Sequence, residues 1–433
     1  MRGFPYQQVR TMTSKARFVP SEGYYPRGFT VTGLHCGVKK DPQKLDLALL
    51  HSKEPCSAAA VFTQNKFCAA PVQVSRAVLD GHHGTGVHGV VTNSGCANAV
   101  TGTTGLANAK TMARSFEQAT DTPAASTLVM STGVIGQHLP IDRITAGVDR
   151  AVPTLGRSHD HWLKFSTAYM TTDTFPKLCS RAFQLPGGTE YRMAGVSKGA
   201  GMIHPNMATL LGTIATDLPV SPDCLQRALR HAVDRSFNAI TIDGDTSTND
   251  TVAILANGQA NEGRALTVSD PASADYDAFQ AHLTEFARNL AQLVVRDGEG
   301  ATKFITVRVK NAHDYAEAKT IATTIAKSSL VKTAIYGQDA NWGRIICAVG
   351  YTEGVHVNPQ SVSLRMLPAD GSEPLQLMVR GEPVPADEAR ASAILKFEDI
   401  NIEVDLALGE AQAEVYTCDM SHDYISINAD YRS

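Results

Sequence analysis

A loop of small residues leads to one threonine at the start of an apolar run in the middle of this 433-residue chain. Residues 197–209 read SKGAGMIHPNMAT, and the apolar sequence LLGTIAT follows at once. A threonine inside a chain is unreactive, but Thr209 would become a nucleophile if the bond before it were cut. Its new α-amino group, with a pKa of about 7.7–8.0, would be partly neutral near pH 7 and could take the Oγ proton. The alternative interpretation is a loop and a strand that only pack.

Acyl transfer by such a threonine also needs two hydrogen-bond donors for the oxyanion of the tetrahedral intermediate. The sequence STGVIG at residues 131–136 offers them, because the hydroxyl of Thr132 lies next to a backbone N–H flanked by glycine. Gly133 lets the backbone approach a substrate closely. Without other signals, the same sequence is a turn at the end of a strand.

The whole sequence around Thr209 closely resembles the self-cleavage segment of the ornithine acetyltransferase (glutamate N-acetyltransferase) family of arginine biosynthesis. The resemblance extends over residues 28–433, and its motifs come in the family's order. In that family the bond before the threonine of an Asn-Met-Ala-Thr sequence is cut autocatalytically, which implies cleavage here between Ala208 and Thr209. The products would be an α chain over residues 21–208 and a β chain over residues 209–433.

The family's functional positions are matched by residues of this chain. The resemblance implies that Thr209 is the nucleophile, with its own amino group as general base, and that Thr132 and Gly133 form the oxyanion hole. It also implies a set of substrate-binding residues: Thr171, Lys198, Thr209, Glu299, Asn428 and Ser433. Each of these side chains alone is more often a surface charge or a capping group. A binding residue at the last position implies a C-terminus tucked into the site, since free termini usually fray.

The resemblance also implies a ping-pong reaction. The threonine takes the acetyl group from N2-acetylornithine, releases ornithine and passes the group to glutamate, with acetyl-CoA as a second donor in many members. No metal and no organic cofactor are implied, and the α and β chains stay together, usually as an α2β2 assembly. Two alternatives stay open. One is a self-processing amidase or aminopeptidase that hands the acyl group to water, and the other is a non-catalytic relative that binds the same metabolites.

Strand and helix patterns mix along the chain, which favours an α+β fold over a doubly wound parallel sheet. Apolar residues at helical spacing predict helices over residues 108–119, 142–152, 276–294 and 315–326. Residues 400–428 read as mostly alternating strand. The resemblance implies a layered α-β-β-α sandwich like that of the N-terminal-nucleophile hydrolases, with a second, smaller α/β unit.

The N-terminus and the composition limit where the protein works and what it binds. No acidic residue precedes Glu22, and basic residues lie among serine, threonine and apolar residues, which is typical of a mitochondrial transit peptide over residues 1–20. The formal net charge is −4 and no long basic run occurs, so no nucleic-acid partner is expected. The apolar stretches are short, so no membrane span is expected. The sequence predicts a protein of the mitochondrial matrix.

Several groups that could bind a metal or form disulfides do not fit those roles. The eight cysteines contain no C-x-x-C pair, which indicates reduced thiols. The histidines at 82, 83 and 88 lack the usual ligand spacing. The sequence DGDTSTND at residues 243–250 resembles the start of a calcium loop, but the twelfth position is Ile254 rather than glutamate. No metal site is expected, and this segment and GQDANWGR at residues 337–344 have no assigned role.

Overall fold

A computed structural model describes residues 15–204, 210–261, 267–385 and 387–429. Ala208, Thr209 and Ser433 lie outside these residues, as does most of the predicted transit peptide.

The strands are β1 Phe29–Leu34, β2 Leu47–Phe62, β3 Val87–Cys96, β4 Thr127–Val134, β5 Lys177–Gln184, β6 Glu190–Lys198, β7 Leu211–Thr216, β8 Ile240–Thr241, β9 Thr251–Ala256, β10 Phe304–Ala312, β11 Ser363–Pro368, β12 Leu375–Val379, β13 Glu382–Pro383, β14 Asp399–Asp405 and β15 Ala411–Cys418. The helices are α1 Ala70–Gly81, α2 Gly102–Thr120, α3 Ile141–Ala151, α4 His159–Tyr169, α5 Pro222–Asp234, α6 Ala274–Arg296, α7 Tyr315–Lys327, α8 Ser329–Tyr336, α9 Gly343–Gly350, α10 Glu388–Leu395 and α11 His422–Ala429. Within the described ranges, no helix has the length and apolar character that a bilayer span needs.

The long strand β2 belongs to two halves of the first sheet. The strand order is β4-β3-β2-β9-β7-β6-β5, and β1 also pairs with β2. The N-terminal part of β2 pairs with β1 and β3, and its C-terminal part pairs with β9. Apolar side chains of both halves meet in one buried cluster, which includes Leu50 and Met130 from one half and Val196 and Leu211 from the other. The two halves therefore face each other as two layers.

Tyr169, at the end of α4, joins the two layers by hydrogen bonds. Thr92 Oγ1 in β3 donates to its hydroxyl at 2.9 Å, and the same hydroxyl shares a hydrogen bond with Thr213 Oγ1 in β7 at 2.8 Å. These bonds satisfy a fully buried polar group that would otherwise destabilise the core. Helices α1, α2 and α3 cover the outside of one layer, and α5 and α6 cover the outside of the other. The predicted α-β-β-α sandwich is confirmed.

The second sheet forms the predicted smaller α/β unit. Its strand order is β13-β12-β11-β14-β10-β15-β8, with β10 parallel to β14 and antiparallel to β15. Helices α7, α8, α9 and α10 pack against it in one apolar cluster. Strand β8, which follows α5 in the chain, lies at one edge beside β15 and so connects this unit to the sandwich.

The four predicted helices are confirmed as α2, α3, α6 and α7. Helix α6 shows why the prediction worked: Ser273 Oγ caps its N-terminus by accepting from Tyr276 N at 3.1 Å, and its apolar stripe is buried. The alternating-strand prediction for residues 400–428 is wrong for its last part, where α11 forms. Ile425 and Ile427 alternate there, but both are exposed, so no sheet core selects an extended strand. All eight cysteines are free, as predicted.

Candidate active site

One cavity, of about 100 Å³, is lined by the ends of β4 and β6 and by α11. We call it the Lys198 cavity. Six predicted site residues line it: Thr132, Gly133, Thr171, Lys198, Glu299 and Asn428. The described chain on both sides of Thr209 is anchored nearby, because Met202 lines the cavity and Leu210 O accepts from Thr251 N at 3.1 Å. The structure therefore brings together the predicted site residues that it describes.

The end of β4 presents Thr132 and Gly133 to the cavity. Gly133 pairs with Gly95 of β3 and has a φ of +128°, and a Cβ there would lie 2.3 Å from the Gly95 carbonyl carbon. Only glycine fits this position. Lys198 Nζ lies 3.3 Å from Thr132 Oγ1, and an ammonium can only donate. Because no other described residue bonds to Thr132 Oγ1, its own hydrogen is free to meet an oxygen in the cavity.

Lys177, behind the cavity, neutralises two buried carboxylates. Its Nζ lies 2.5 Å from Asp173 Oδ1 and 2.6 Å from Asp297 Oδ2, and none of the three side chains reaches solvent. Burial alone would lower the pKa of Lys177, but the two carboxylates raise it above its ordinary value. The backbone N–H of Thr174 adds a bond to Asp297 at 2.9 Å. Such additional bonds are what offset the desolvation of a buried ion pair.

Asp173 fixes the backbone on two sides of the cavity. It accepts from the N–H of Gly199 at 2.9 Å and from the N–H of Thr171 at 2.9 Å. Burial alone would raise the pKa of Asp173, but the charges of Lys177 and Lys198 and these donors hold the pKa below its ordinary value. Asp173 is therefore an anion at neutral pH and keeps Thr171 and the end of β6 in place.

Asp250, directly before β9, is a buried carboxyl without comparable partners. It is 1% exposed, and neither Oδ1 nor Oδ2 makes a hydrogen bond with a described residue. Burial raises its pKa well above the ordinary value, offset only in part by the charge of Lys198, by the backbone of Leu210 and by the backbone and side chain of Ser247. Burial also lowers the pKa of Lys198. Lys198 thus interacts with two buried aspartates whose pKa shifts are opposite.

Glu299 and Asn428 form another side of the cavity. Glu299 is buried, and its backbone N–H donates to Ala200 O at 2.8 Å. Asn428 Nδ2 donates to Glu299 Oε2 at 2.7 Å. A Cβ on Gly201 would lie 2.3 Å from the same oxygen, so glycine is needed for the loop to approach this carboxylate. A carboxylate held by one amide keeps acceptor positions for a cationic group of a ligand.

Comparisons with known proteins give the family. The ArgJ family model matches residues 30–433. This chain belongs to the ArgJ family. It is 56% identical to the mitochondrial arginine biosynthesis bifunctional protein ArgJ of Blastomyces gilchristii, over 97% of this chain and 92% of that protein. It is 57% identical to the protein of the same name from Aspergillus terreus, over 97% of this chain and 94% of that protein. A crystal structure of ArgJ from Bacillus halodurans is 39% identical and covers 50% of this chain and 96% of that chain, with a TM-score of 0.45.

Membership of the ArgJ family confirms the resemblance that residues 197–209 indicated. The chain is an acyltransferase of arginine biosynthesis. It is also a mitochondrial protein, in agreement with the interpretation of its basic N-terminus.

Sequence reasoning missed part of the cavity wall of this ArgJ family member. Ser247 and Asn249 line the cavity, and Asn249 Nδ2 donates to Ala97 O at 2.6 Å and to Ser131 O at 2.9 Å. The other lining residues that were not predicted are Ala97, Ile135, Thr172, Gly201 and Met202. The segment 243–250, which had no assigned role, therefore forms one wall. Its dense run of hydroxyl and amide side chains was the available signal, because buried polar groups need partners.

One group of side chains in the described chain has the composition of a metal site. His313, Glu317 and His356 have ligand atoms within 4.8 Å of one another, and none of them lines the Lys198 cavity. The Glu317 carboxylate accepts from the backbone N–H of His313 at 3.1 Å and of His356 at 2.5 Å. These bonds connect the start of α7 to the loop after α9. The carboxylate is therefore already occupied by the protein backbone.

Proposed function

We propose that this chain is a self-cleaving acetyltransferase that moves the acetyl group from N2-acetylornithine to glutamate through an acetyl ester on Thr209. The observation that carries the proposal is the convergence of Thr132, Gly133, Lys198 and Glu299 in one cavity, beside the anchored chain on both sides of Thr209. The proposal includes acetyl-CoA as a second acetyl donor for glutamate.

Self-cleavage comes first in the proposed sequence. Thr209 Oγ attacks the carbonyl carbon of Ala208, the C–N bond breaks, and the chain is held for a time by an ester. Water then hydrolyses the ester, which leaves a carboxylate on Ala208 and a free amino group on Thr209. The hydroxyl of Thr132 and the N–H of Gly133 are the proposed donors to the oxyanion in this step.

The transfer cycle uses the freed amino group as the base. Thr209 Oγ loses its proton to that amine as it attacks the acetyl carbonyl, and the same proton then goes to the amine of the leaving ornithine. The α-amine of glutamate next attacks the acetyl ester and gives up a proton, and N-acetylglutamate leaves with the threonine restored. The proposed steps need only these groups, so the proposal includes no metal and no organic cofactor.

Substrate recognition is assigned by charge. N2-acetylornithine carries an α-carboxylate at one end and a δ-ammonium at the other. We assign the carboxylate to Lys198 and the hydroxyl of Thr171, and the ammonium to Glu299. Asn428 would orient Glu299 through its 2.7 Å bond. Ser433 stays a predicted contact outside the described residues.

We further propose that the α and β chains stay together after cleavage and that two such pairs form an α2β2 assembly. The strand order supports the first part. Strands β7 and β9, which follow Thr209, lie between β6 and β2, which precede it. Separation would have to break the β6–β7 and β2–β9 ladders in the middle of a buried sheet. The pairing of two such units rests on the family resemblance.

Denaturing mass spectrometry, followed by an acetyl-transfer assay, tests this function. We expect two chains from the wild-type protein, the second beginning at Thr209, and one intact inactive chain from Thr209→Ala. Ornithine release from N2-acetylornithine beyond one equivalent per enzyme should require glutamate. A hydrolase would release ornithine without glutamate, and a non-catalytic relative would stay in one piece. A processed and active Thr209→Ala protein would contradict the assignment of the nucleophile.

A further inference from the structure

One carboxylate, that of Asp243, holds the chain shortly before the proposed cleavage bond. It follows strand β8 and accepts from the N–H of Met202 at 2.6 Å and from the N–H of Ile203 at 2.9 Å. The N–H of Asp245, in its own loop, lies 3.2 Å away from the same group. Burial raises the pKa of Asp243, and the three backbone donors, which favour its charged form, oppose that shift. Asp243 is therefore a firm anchor for residues 202–203.

The backbone at Met202 adopts a conformation that other contacts must hold in place. Met202 has a φ of +58°, in the left-handed region that residues with a Cβ rarely adopt. Such a conformation persists only where the surroundings fix it. Met202 is 41% exposed, so packing of its side chain contributes little to fixing this conformation. The bonds from the N–H groups of residues 202 and 203 to Asp243 help to fix it.

The segment around Asp243 holds the chain on both sides of the proposed cleavage bond. On the upstream side, Ile203 O accepts from Ile242 N at 2.8 Å and from Thr241 Oγ1 at 3.1 Å. On the downstream side, Leu210 O accepts from Thr251 N at 3.1 Å. Residues 241–251 therefore fix where the intervening chain begins and where it ends.

We propose that Asp243 is a positioning residue for self-cleavage: its carboxylate holds residues 202–203, from which the chain continues towards the proposed cleavage bond. This inference rests on the proposed function. The Tyr424 hydroxyl also donates to Asp243 Oδ2 at 3.3 Å, and Tyr424 lies on α11, which carries Asn428. The same carboxylate thus connects the cleavage segment to the helix that reaches Glu299.

The test follows cleavage of the newly made full chain over time, by gel and by intact mass. Asp243→Ala removes both acceptor oxygens, and we expect cleavage to slow by about tenfold or more, the effect of losing a hydrogen bond to a charged group. Asp243→Asn keeps one acceptor oxygen and should be intermediate. Graded rates at an unchanged melting temperature are the result that a merely structural role would not give.

Two matched variants are the controls. Asp245→Asn changes the exposed neighbouring carboxylate, and Tyr424→Phe removes only the bond from α11; both should cleave at the wild-type rate. The proposal is overturned if Asp243→Ala and Asp243→Asn cleave like the wild type. It is also overturned if they slow cleavage only in proportion to a fall in melting temperature. An uncut wild-type chain would instead refute the proposed function itself.

Discussion

Asp173 and Asp250 are both buried and interact with the same lysine, but their pKa values shift in opposite directions. Both are withdrawn from solvent, and Lys198 lowers the pKa of each. Asp173 has Lys177 at 2.5 Å and two backbone donors, so its pKa lies below the ordinary value. Neither carboxyl oxygen of Asp250 has a hydrogen bond of ordinary geometry from a described residue, and burial raises its pKa well above the ordinary value despite Lys198, Leu210 and Ser247 nearby. Burial sets the free-energy cost of ionising a carboxyl group. The neighbouring charges and hydrogen-bond donors then decide whether the group is ionised.

The difference assigns the two regions to different tasks. The Asp173 region is a rigid ionic support that holds the backbone of Thr171 and Gly199 beside the cavity. The Asp250 region holds a buried carboxyl with a raised pKa, directly before Thr251, whose N–H donates to Leu210 O at 3.1 Å. Three substitutions test this comparison, in order of decreasing effect.

The largest effect is expected from Asp173→Asn, which leaves the buried Lys177 with only one of its two carboxylates. Breaking a buried pair from one side costs about 3–5 kcal/mol in the free energy of unfolding. Urea unfolding of the variant and the wild type measures it. Asp80→Asn, at an exposed position on α1, is the control and should change stability by less than about 0.5 kcal/mol. An Asp173 variant as stable as this control would contradict the assignment of the Asp173 region as an ionic support.

A smaller effect is expected from Lys198→Met, which removes the charge that both aspartates share. We expect kcat/KM for N2-acetylornithine to fall by about 10–100-fold, mostly through KM, because a bond from a charged group to the substrate carboxylate is lost. Steady-state kinetics separate the two constants. Lys164→Met, at an exposed position on α4, should leave them unchanged. An unchanged KM in the Lys198 variant would mean that another group binds the carboxylate.

The smallest effect is expected from Asp250→Asn, and its sign depends on pH. The folded pKa of Asp250 is raised, so the folded protein holds a proton that the unfolded chain releases, and stability falls as pH rises above about 3.9. We expect the variant to match the wild type near pH 4 and to become more stable than the wild type as the pH rises towards 8. Unfolding midpoints across this range measure the effect.

The contribution of Asp173 to stability should change with pH in the opposite direction, which is an internal check. Its folded pKa is lowered, so its contribution is present above the unfolded value and is lost as pH falls below it. The stability gap between the wild type and Asp173→Asn should therefore narrow towards acid. A variant at Asp250 that is less stable than the wild type at pH 8 would mean that this carboxyl is charged.

Local patterns in the sequence predicted the helices and much of the cavity, but not the ionic network. Helix α6 was predictable because its apolar spacing and its Ser273 cap are both local. The cavity residues were found through motifs. Lys177 and Asp297 lie 120 positions apart, and nothing near either residue indicates the other. The role of residues 243–250 was missed for the same reason, since their partners belong to other strands.

The residues of the Lys198 cavity come from distant parts of the chain, and this limits when self-cleavage can occur. Thr132, Lys198 and Glu299 come from separate elements and meet only when the sandwich has formed. Under the proposed mechanism, a chain that is still being made, or is still crossing a membrane, cannot cut itself. The cut would then record that folding is complete, and the ratio of whole to cut chain in a cell would report the folding yield.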